Sequence, residues 1–232
     1  MILVTGDIHG FRNLNKLNSN QYAHFYEMTK KDYVIICGDF GFVWDNGGED
    51  IRGRDWLDQQ NYTTLFVDGN HENFALLNQY PITNWCGGKV HMITDSIIHL
   101  MRGQVFEIQG KSFFTMGGAE SHDQKNRVIG ESIWKEELPN DNEYTEALQN
   151  LKKHRYAIDY IITHCATSVI QDEVIKQTNS YFYPNNQLIT FFDNIAKMVT
   201  FRKWFCGHYH IDLISHTNPK IHVLFDNIEE VQ

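Results

Sequence analysis

Residues 33–40 read Tyr-Val-Ile-Ile-Cys-Gly-Asp-Phe. Four β-prone apolar residues run into a small cysteine, a glycine that permits a tight turn, and then Asp39. The pattern predicts a buried strand that delivers a carboxylate at its C-terminal end. The same layout recurs four more times. Ile2-Leu3-Val4-Thr5-Gly6 leads to Asp7 and His9, and Leu65-Phe66-Val67-Asp68-Gly69 leads to Asn70 and His71. Tyr160-Ile161-Ile162-Thr163 leads to His164, and Trp204-Phe205-Cys206-Gly207 leads to His208 and His210. In open α/β sheets ligands bind outside the carboxyl ends of the strands. Five such strand ends can therefore converge on one site, with Asp39 at its centre.

A chain of 232 residues with 42% hydrophobic content is long enough to bury a sizeable core and is read as one domain, residues 1–232. Its formal charge of −9, from 20 basic and 29 acidic residues, argues against a long nucleic-acid groove. No sequence-specific nucleic-acid binding is expected. A small phosphorylated ligand stays open, because bound divalent ions supply local positive charge. The N-terminus enters a strand at once, without a basic segment followed by an apolar one, so no secretory signal is expected. No apolar run approaches the roughly 18 residues of a membrane span. Cys37, Cys86, Cys165 and Cys206 show no C-x-x-C spacing, and small buried residues at strand ends account for three of them. A cytoplasmic protein is the expectation.

Between the strand ends, residues 11–30 carry Leu14, Leu17, Tyr22, Phe25, Tyr26 and Met28 and are read as helix, irregular where asparagines cluster. A Gly- and Asp-rich loop at 45–53 precedes a short helix at 54–60, and 73–80 is a helical turn closed by Pro81. From 89 to 116 short strands follow one another, with Gly103 and Gly110 at the turns, which predicts an antiparallel meander. A parallel first half followed by a meander suggests two sheets packed face to face with helices outside. Residues 117–142 form a long polar loop, a length that points to function. Helices are expected at 143–154, with Asp141 or Asn142 as cap, and at 168–177 and 186–197. Strands are expected at 158–163, 203–206, 211–215 and 221–225.

The candidate metal ligands are Asp7, His9, Asp39, Asn70, His164, His208 and His210. Carboxylate oxygens, an amide oxygen and imidazoles, without thiolate, suit Mn, Fe or Zn. Seven ligands exceed the three or four protein groups of a mononuclear zinc site and would fill two sites if one carboxylate bridged. Two ions roughly 3.5–4 Å apart can clamp the attacking and leaving oxygens of an in-line displacement at phosphorus. An isolated G-D or D-x-H recurs by chance in many chains. Five such motifs at five strand ends do not.

Gly6-Asp7-Ile8-His9-Gly10, Gly38-Asp39, Gly69-Asn70-His71-Glu72, Thr163-His164 and Gly207-His208-Tyr209-His210, in this order, resemble the calcineurin-like metallophosphoesterases. The likeness spans residues 5–210, and small bacterial or phage members share the G-D-F-G-x-V-W stretch at 38–44. The resemblance implies a four-layer α/β/β/α sandwich of two mixed sheets with a dinuclear site at the strand C-terminal ends. It implies Asp7, His9 and His210 on one metal, Asn70, His164 and His208 on the other, and Asp39 bridging. Manganese is the favoured occupant. A water bridging two divalent ions becomes hydroxide near neutral pH and attacks a phosphomonoester or phosphodiester in line, with the metals and an arginine stabilising the phosphoryl oxygens. His71 is the best general acid for the leaving oxygen.

The sequence also departs from one branch of that superfamily. Phosphoprotein phosphatases read G-D-x-x-D-R-G, whereas here Gly38-Asp39-Phe40-Gly41-Phe42-Val43 lacks the second Asp and the Arg. A protein phosphatase is therefore the weaker reading. Asp45 is the candidate carboxylate for orienting His71, and Arg127 the first candidate for binding phosphate, with Arg12 and Arg102 behind it. Tyr209, between two ligands, is a candidate border of the substrate pocket beside Asn70, His71 and Arg127. A non-catalytic scaffold is a further alternative, but such proteins lose ligands or the catalytic His, and here all are present.

Overall fold

Three of the five apolar runs lie side by side. In the computed structural model, which describes residues 1–18, 22–121, 127–179 and 185–232, β1 (Ile2–Thr5), β2 (Tyr33–Ile36) and β3 (Thr63–Phe66) are parallel neighbours, with Leu3 opposite Val34 and Ile35 opposite Leu65. Strands covered on both faces can be apolar throughout, which is why these runs show no alternation. β6 (Ile97–Leu100) joins β3 in parallel, and β5 (Gly88–Thr94) and β4 (Ile82–Trp85) continue the sheet antiparallel. β13 (Ile228–Glu230) closes the opposite edge, antiparallel to β1, giving seven strands in the order β13-β1-β2-β3-β6-β5-β4.

The other two runs anchor the second sheet. β9 (Tyr160–Thr163) and β10 (Lys203–Cys206) are parallel, flanked by β8 (Lys111–Met116) and β12 (Ile221–Val223). β7 (Gln104–Ile108) and β11 (Leu213–Ile214) complete the six-stranded order β11-β12-β10-β9-β8-β7. Alternate residues on each strand separate the layers. Ile2, Val4, Ile35, Leu65 and Val67 meet Phe106, Phe113, Tyr160, Ile162 and Phe205 between the sheets. Leu3, Val34, Ile36 and Phe66 face outward onto α1 (Gly48–Asp58) and α2 (Phe74–Leu77) through Leu57 and Leu77. Phe114, Ile161 and Trp204 face the other way, onto α3 (Asp141–Lys153), α4 (Ser168–Thr178) and α5 (Gln187–Met198). Each such Leu, Ile or Phe contributes about 1.5–3 kcal/mol by leaving water. These layers form a mixed α/β sandwich of two mixed sheets.

Several local expectations are corrected. The stretch 11–30, of which 19–21 lie outside the described residues, holds 3-10 turns at Gly10–Arg12, Leu14–Leu17 and Ala23–Tyr26 rather than an α-helix. Leu14, Leu17, Phe25 and Met28 are still buried. Asparagines compete with a helix for its backbone groups, and short turns seat the same apolar residues. α1 starts at Gly48, not 54, because Asp50 Oδ2 accepts the N–H groups of Trp44, Asp45 and Asn46 and folds the preceding loop onto the first turn. The meander is divided: β5–β6 and β7–β8 are antiparallel pairs in different sheets, and the chain crosses over at 101–103. Of the polar loop at 117–142, residues 122–126 lie outside the described residues. α3 is capped by Asn140, whose side chain and that of Glu143 form a capping box.

Candidate metal centre

Three of the five strand ends, those of β1, β2 and β10, reach the site through a turn that an ordinary residue avoids. His9, Asp39, His208 and His210 have φ between 45° and 72°, the left-handed region, at about 1 kcal/mol or more apiece. Neighbouring turns hold these conformations. Ile8 and His9 donate their N–H groups to the Asp39 carbonyl, and Gly10 donates to that of Phe40. The ligand carboxylates are held across loops as well. Asp7 Oδ1 accepts the His208 N–H at 2.9 Å, and Asp39 Oδ1 accepts the His71 N–H at 2.8 Å. Glycines make the approach feasible: a Cβ on Gly69 would stand 2.0 Å from Asp39 Oδ1, and one on Gly207 2.1 Å from Asp7 Oδ1.

All seven predicted ligands belong to this cluster of strand ends. Asp7, His9, Asp39 and His210 offer ligand atoms all within 4.8 Å of one another. Bonds of roughly 2.0–2.2 Å set donors on one cation no more than about 4.4 Å apart, so a small inward shift of the outermost donors would close a shell here. His9 Nε2 faces His210 Nε2 at 2.9 Å, and His210 Nε2 lies 3.2 Å from Asp7 Oδ2. On the other side, His164 Nε2 is 3.2 Å from Asn70 Oδ1 and 3.4 Å from Asp39 Oδ1, with the His208 ring centroid 4.9 Å from that of His164. Asp39 Oδ2 points the opposite way, 3.6 Å from His9 Nε2. One buried carboxylate thus presents an oxygen to each group of donors. Nitrogen and oxygen donors around two buried carboxylates fit divalent cations.

The sequence matches the calcineurin-like phosphoesterase family over residues 1–212. The chain belongs to this family. No curated protein matches it. Solved structures similar to it include the sulfate thiohydrolase SoxB of Thermus thermophilus in complex with glycerol, at 11% identity and a TM-score of 0.44, the match covering 97% of this chain. The chain spans 51% of the length of that protein.

In this calcineurin-like site, charge balance falls on the imidazoles. Burial alone would raise the Asp39 carboxyl, but His164, His71 and His9 outweigh it and hold it below the usual carboxylate range. Burial would lower His164, yet Asp39 and Asp7 push it up to about 10. His164 Nδ1 donates to the Cys37 carbonyl at 2.7 Å, which turns Nε2 toward the centre. His71 is lowered, chiefly by burial, with Arg127 adding to the effect and Asp39 opposing it.

The remaining predicted residues separate. Arg127 lies against His71, its Nη2 3.2 Å from Nε2 and its Nη1 3.3 Å from Nδ1. Arg12 is exposed in a groove of about 320 Å³ beside His9, Phe11 and Trp44. Arg102 is buried and committed to Asp68 through Nε and Nη2, so it is withdrawn from the site. Asp45 is not joined to His71: it is exposed and closes its own turn by accepting the Gly47 N–H at 2.6 Å. Tyr209 does not border the pocket. Its ring packs in the core beneath the second sheet, and its hydroxyl accepts the Ala166 N–H.

Sequence reasoning missed Lys16. Its buried ammonium donates to the carbonyls of Gly6, Asp7 and Phe225, stitching the two sheets together behind the site. Phe225 in turn stacks on His210, with ring centroids 4.8 Å apart. Burial lowers the Lys16 pKa to about 8. A lysine in a polar 3-10 segment carries no sequence signal for this role.

Proposed function

We propose that the chain is a metal-dependent phosphoesterase that cleaves a phosphomonoester or phosphodiester at a centre of two divalent cations. Asp7, His9 and His210 would hold one cation, Asn70, His164 and His208 the other, and Asp39 both. The observation that carries this reading is the Asp39 carboxylate, with Oδ2 toward His9 and Oδ1 toward His164. Manganese is the first metal to test, among Mn, Fe and Zn, on a donor set of carboxylate and amide oxygens with imidazoles and no thiolate. When bound, the cations supply Lewis acidity at the phosphoryl group and a nucleophile at neutral pH.

The protein side of the reaction falls to His71 and Arg127. The His71 backbone N–H is fixed to the Asp39 carboxylate, so its ring stands beside the centre and 5.4 Å from the His9 ring. From there the ring, in its protonated imidazolium form, would donate a proton to the leaving oxygen and return to neutral imidazole. The Arg127 guanidinium, beside that ring and braced by the Ser132 carbonyl, would stabilise charge on the phosphoryl oxygens. No carboxylate accepts a hydrogen bond from the His71 ring among the described residues; its orientation rests on the backbone bond and Arg127.

The test is paired hydrolysis of p-nitrophenyl phosphate and bis-p-nitrophenyl phosphate by metal-stripped protein reloaded with Mn, with Asp39→Asn alongside. Turnover of either ester by the wild type, lost in the variant, supports the reading. Which ester is preferred separates monoesterase from diesterase. Two bound cations with no turnover of either ester would move the case toward a non-catalytic scaffold.

A further inference from the structure

The amide of Asn70 poses a problem that a carboxylate does not. Its two ends have nearly the same shape, but only Oδ1 has lone pairs to offer a cation, while Nδ2 is a donor alone. If the amide turned over, it would present N–H groups to the centre and remove one ligand. Something must hold it one way round.

Nδ2 of Asn70 donates to Ser121 Oγ at 3.0 Å. The backbone N–H of Ser121 donates to Glu137 Oε2 at 3.1 Å, which sets the carboxylate beside the Ser121 hydroxyl. Burial raises the Glu137 carboxyl to about 6, so at pH 7 and above it is ionised, only accepts, and draws the single hydroxyl proton of Ser121 toward itself. The lone pairs of Oγ are then left to accept from Asn70. The chain of bonds therefore has one direction, Asn70 to Ser121 to Glu137, and it ends with Oδ1 of Asn70 facing His164 Nε2. All three side chains are buried, at 3% exposure each, so water cannot readily take either partner's place. The remaining oxygen of Glu137 has no hydrogen-bond partner among the described residues, which leaves Ser121 as the group that holds it.

We propose that Ser121 and Glu137 are positioning residues of the metal centre, which lock the Asn70 amide with its oxygen toward the cation. The inference rests on the reading of Asn70 as a ligand. It gives the segment 117–142 a second role, since the loop that brings Arg127 to His71 also orients a ligand. Outer partners of metal ligands typically govern about 10–100-fold in affinity.

The experiment is calorimetric titration of the metal-free chain with Mn²⁺, for the wild type, Ser121→Ala, Glu137→Gln, Asn70→Asp and the double variant Ser121→Ala/Asn70→Asp. Thermal unfolding of each metal-free form reports folding separately. The wild type is expected to take up two cations. Ser121→Ala and Glu137→Gln should each weaken one of the two binding events by roughly tenfold or more. Aspartate offers an oxygen whichever way it turns. In the Asn70→Asp background, Ser121→Ala should therefore change affinity by less than about twofold, a rescue that lost packing alone does not produce. Equal losses in both backgrounds, or unchanged affinity in Ser121→Ala, would overturn the positioning role. A wild type that takes up no cation would overturn the metal centre itself, and is distinct from either of those results.

Discussion

A Cβ on Gly207 would lie 2.1 Å from Asp7 Oδ1 and 2.7 Å from the Cys37 carbonyl, so this non-ligand glycine decides whether Asp7 keeps its place. Gly207→Ala is expected to cost several-fold or more in Mn²⁺ affinity, measured by calorimetry, although every ligand is retained. His71 is predicted to separate chemistry from binding: His71→Ala should lose about 10²–10⁴ in turnover while metal content stays at the wild-type level. Wild-type turnover in that variant would remove His71 from the mechanism. At this scale the sequence is legible where side chains sit one or two residues after a strand, as do Asp7, His164 and His208. It misleads where a polar residue has a closer local use. Asp45 is taken by the Gly47 N–H, and Tyr209 by the core and the Ala166 N–H, neither of which a one-dimensional pattern displays.

Adjacent strands β5 and β6 bring His91 and His99 face to face, with Nδ1 atoms 3.0 Å apart, and His99 Nε2 lies 3.1 Å from Asp68 Oδ1. Burial, reinforced by His99, lowers the His91 pKa from 6.5 to about 4. Between those two values the unfolded chain binds a proton that the native chain refuses. Stability from this group is therefore present above about pH 6.5 and lost as pH falls toward about 4. Between pH 7 and pH 5 the wild type should lose about 2 kcal/mol more than His91→Asn in urea unfolding. Equal losses would contradict the lowered value. The elements that the sequence displayed are those with continuous apolar runs, β1, β2, β3, β9 and β10. Those it hid depend on partners far away in the chain. β13 is recruited by β1, and β6 is pulled from a meander into parallel pairing with β3. α1 begins early because Asp50 gathers three backbone N–H groups.

On the scale of the whole molecule, two sheets converge their strand ends on two carboxylates that are almost fully buried, Asp7 and Asp39. Such charges are costly without partners. In the metal-free chain His164, raised to about 10 by those carboxylates, carries part of the compensating charge. A cation that takes Nε2 must displace its proton. At pH 8 metal uptake should therefore release about one proton per chain from His164, and apparent affinity should rise with pH until His164 titrates. Titrations in buffers of different ionisation enthalpy measure this directly; uptake without proton release would contradict it. The central claim is that five strand ends build one centre for two cations sharing Asp39. Its most direct test is the metal stoichiometry of the reloaded protein, by elemental analysis of protein freed of loose ions, for the wild type and Asp39→Asn. Two equivalents in the wild type and fewer in the variant are predicted. A single equivalent in the wild type, or two in both, would contradict the shared carboxylate.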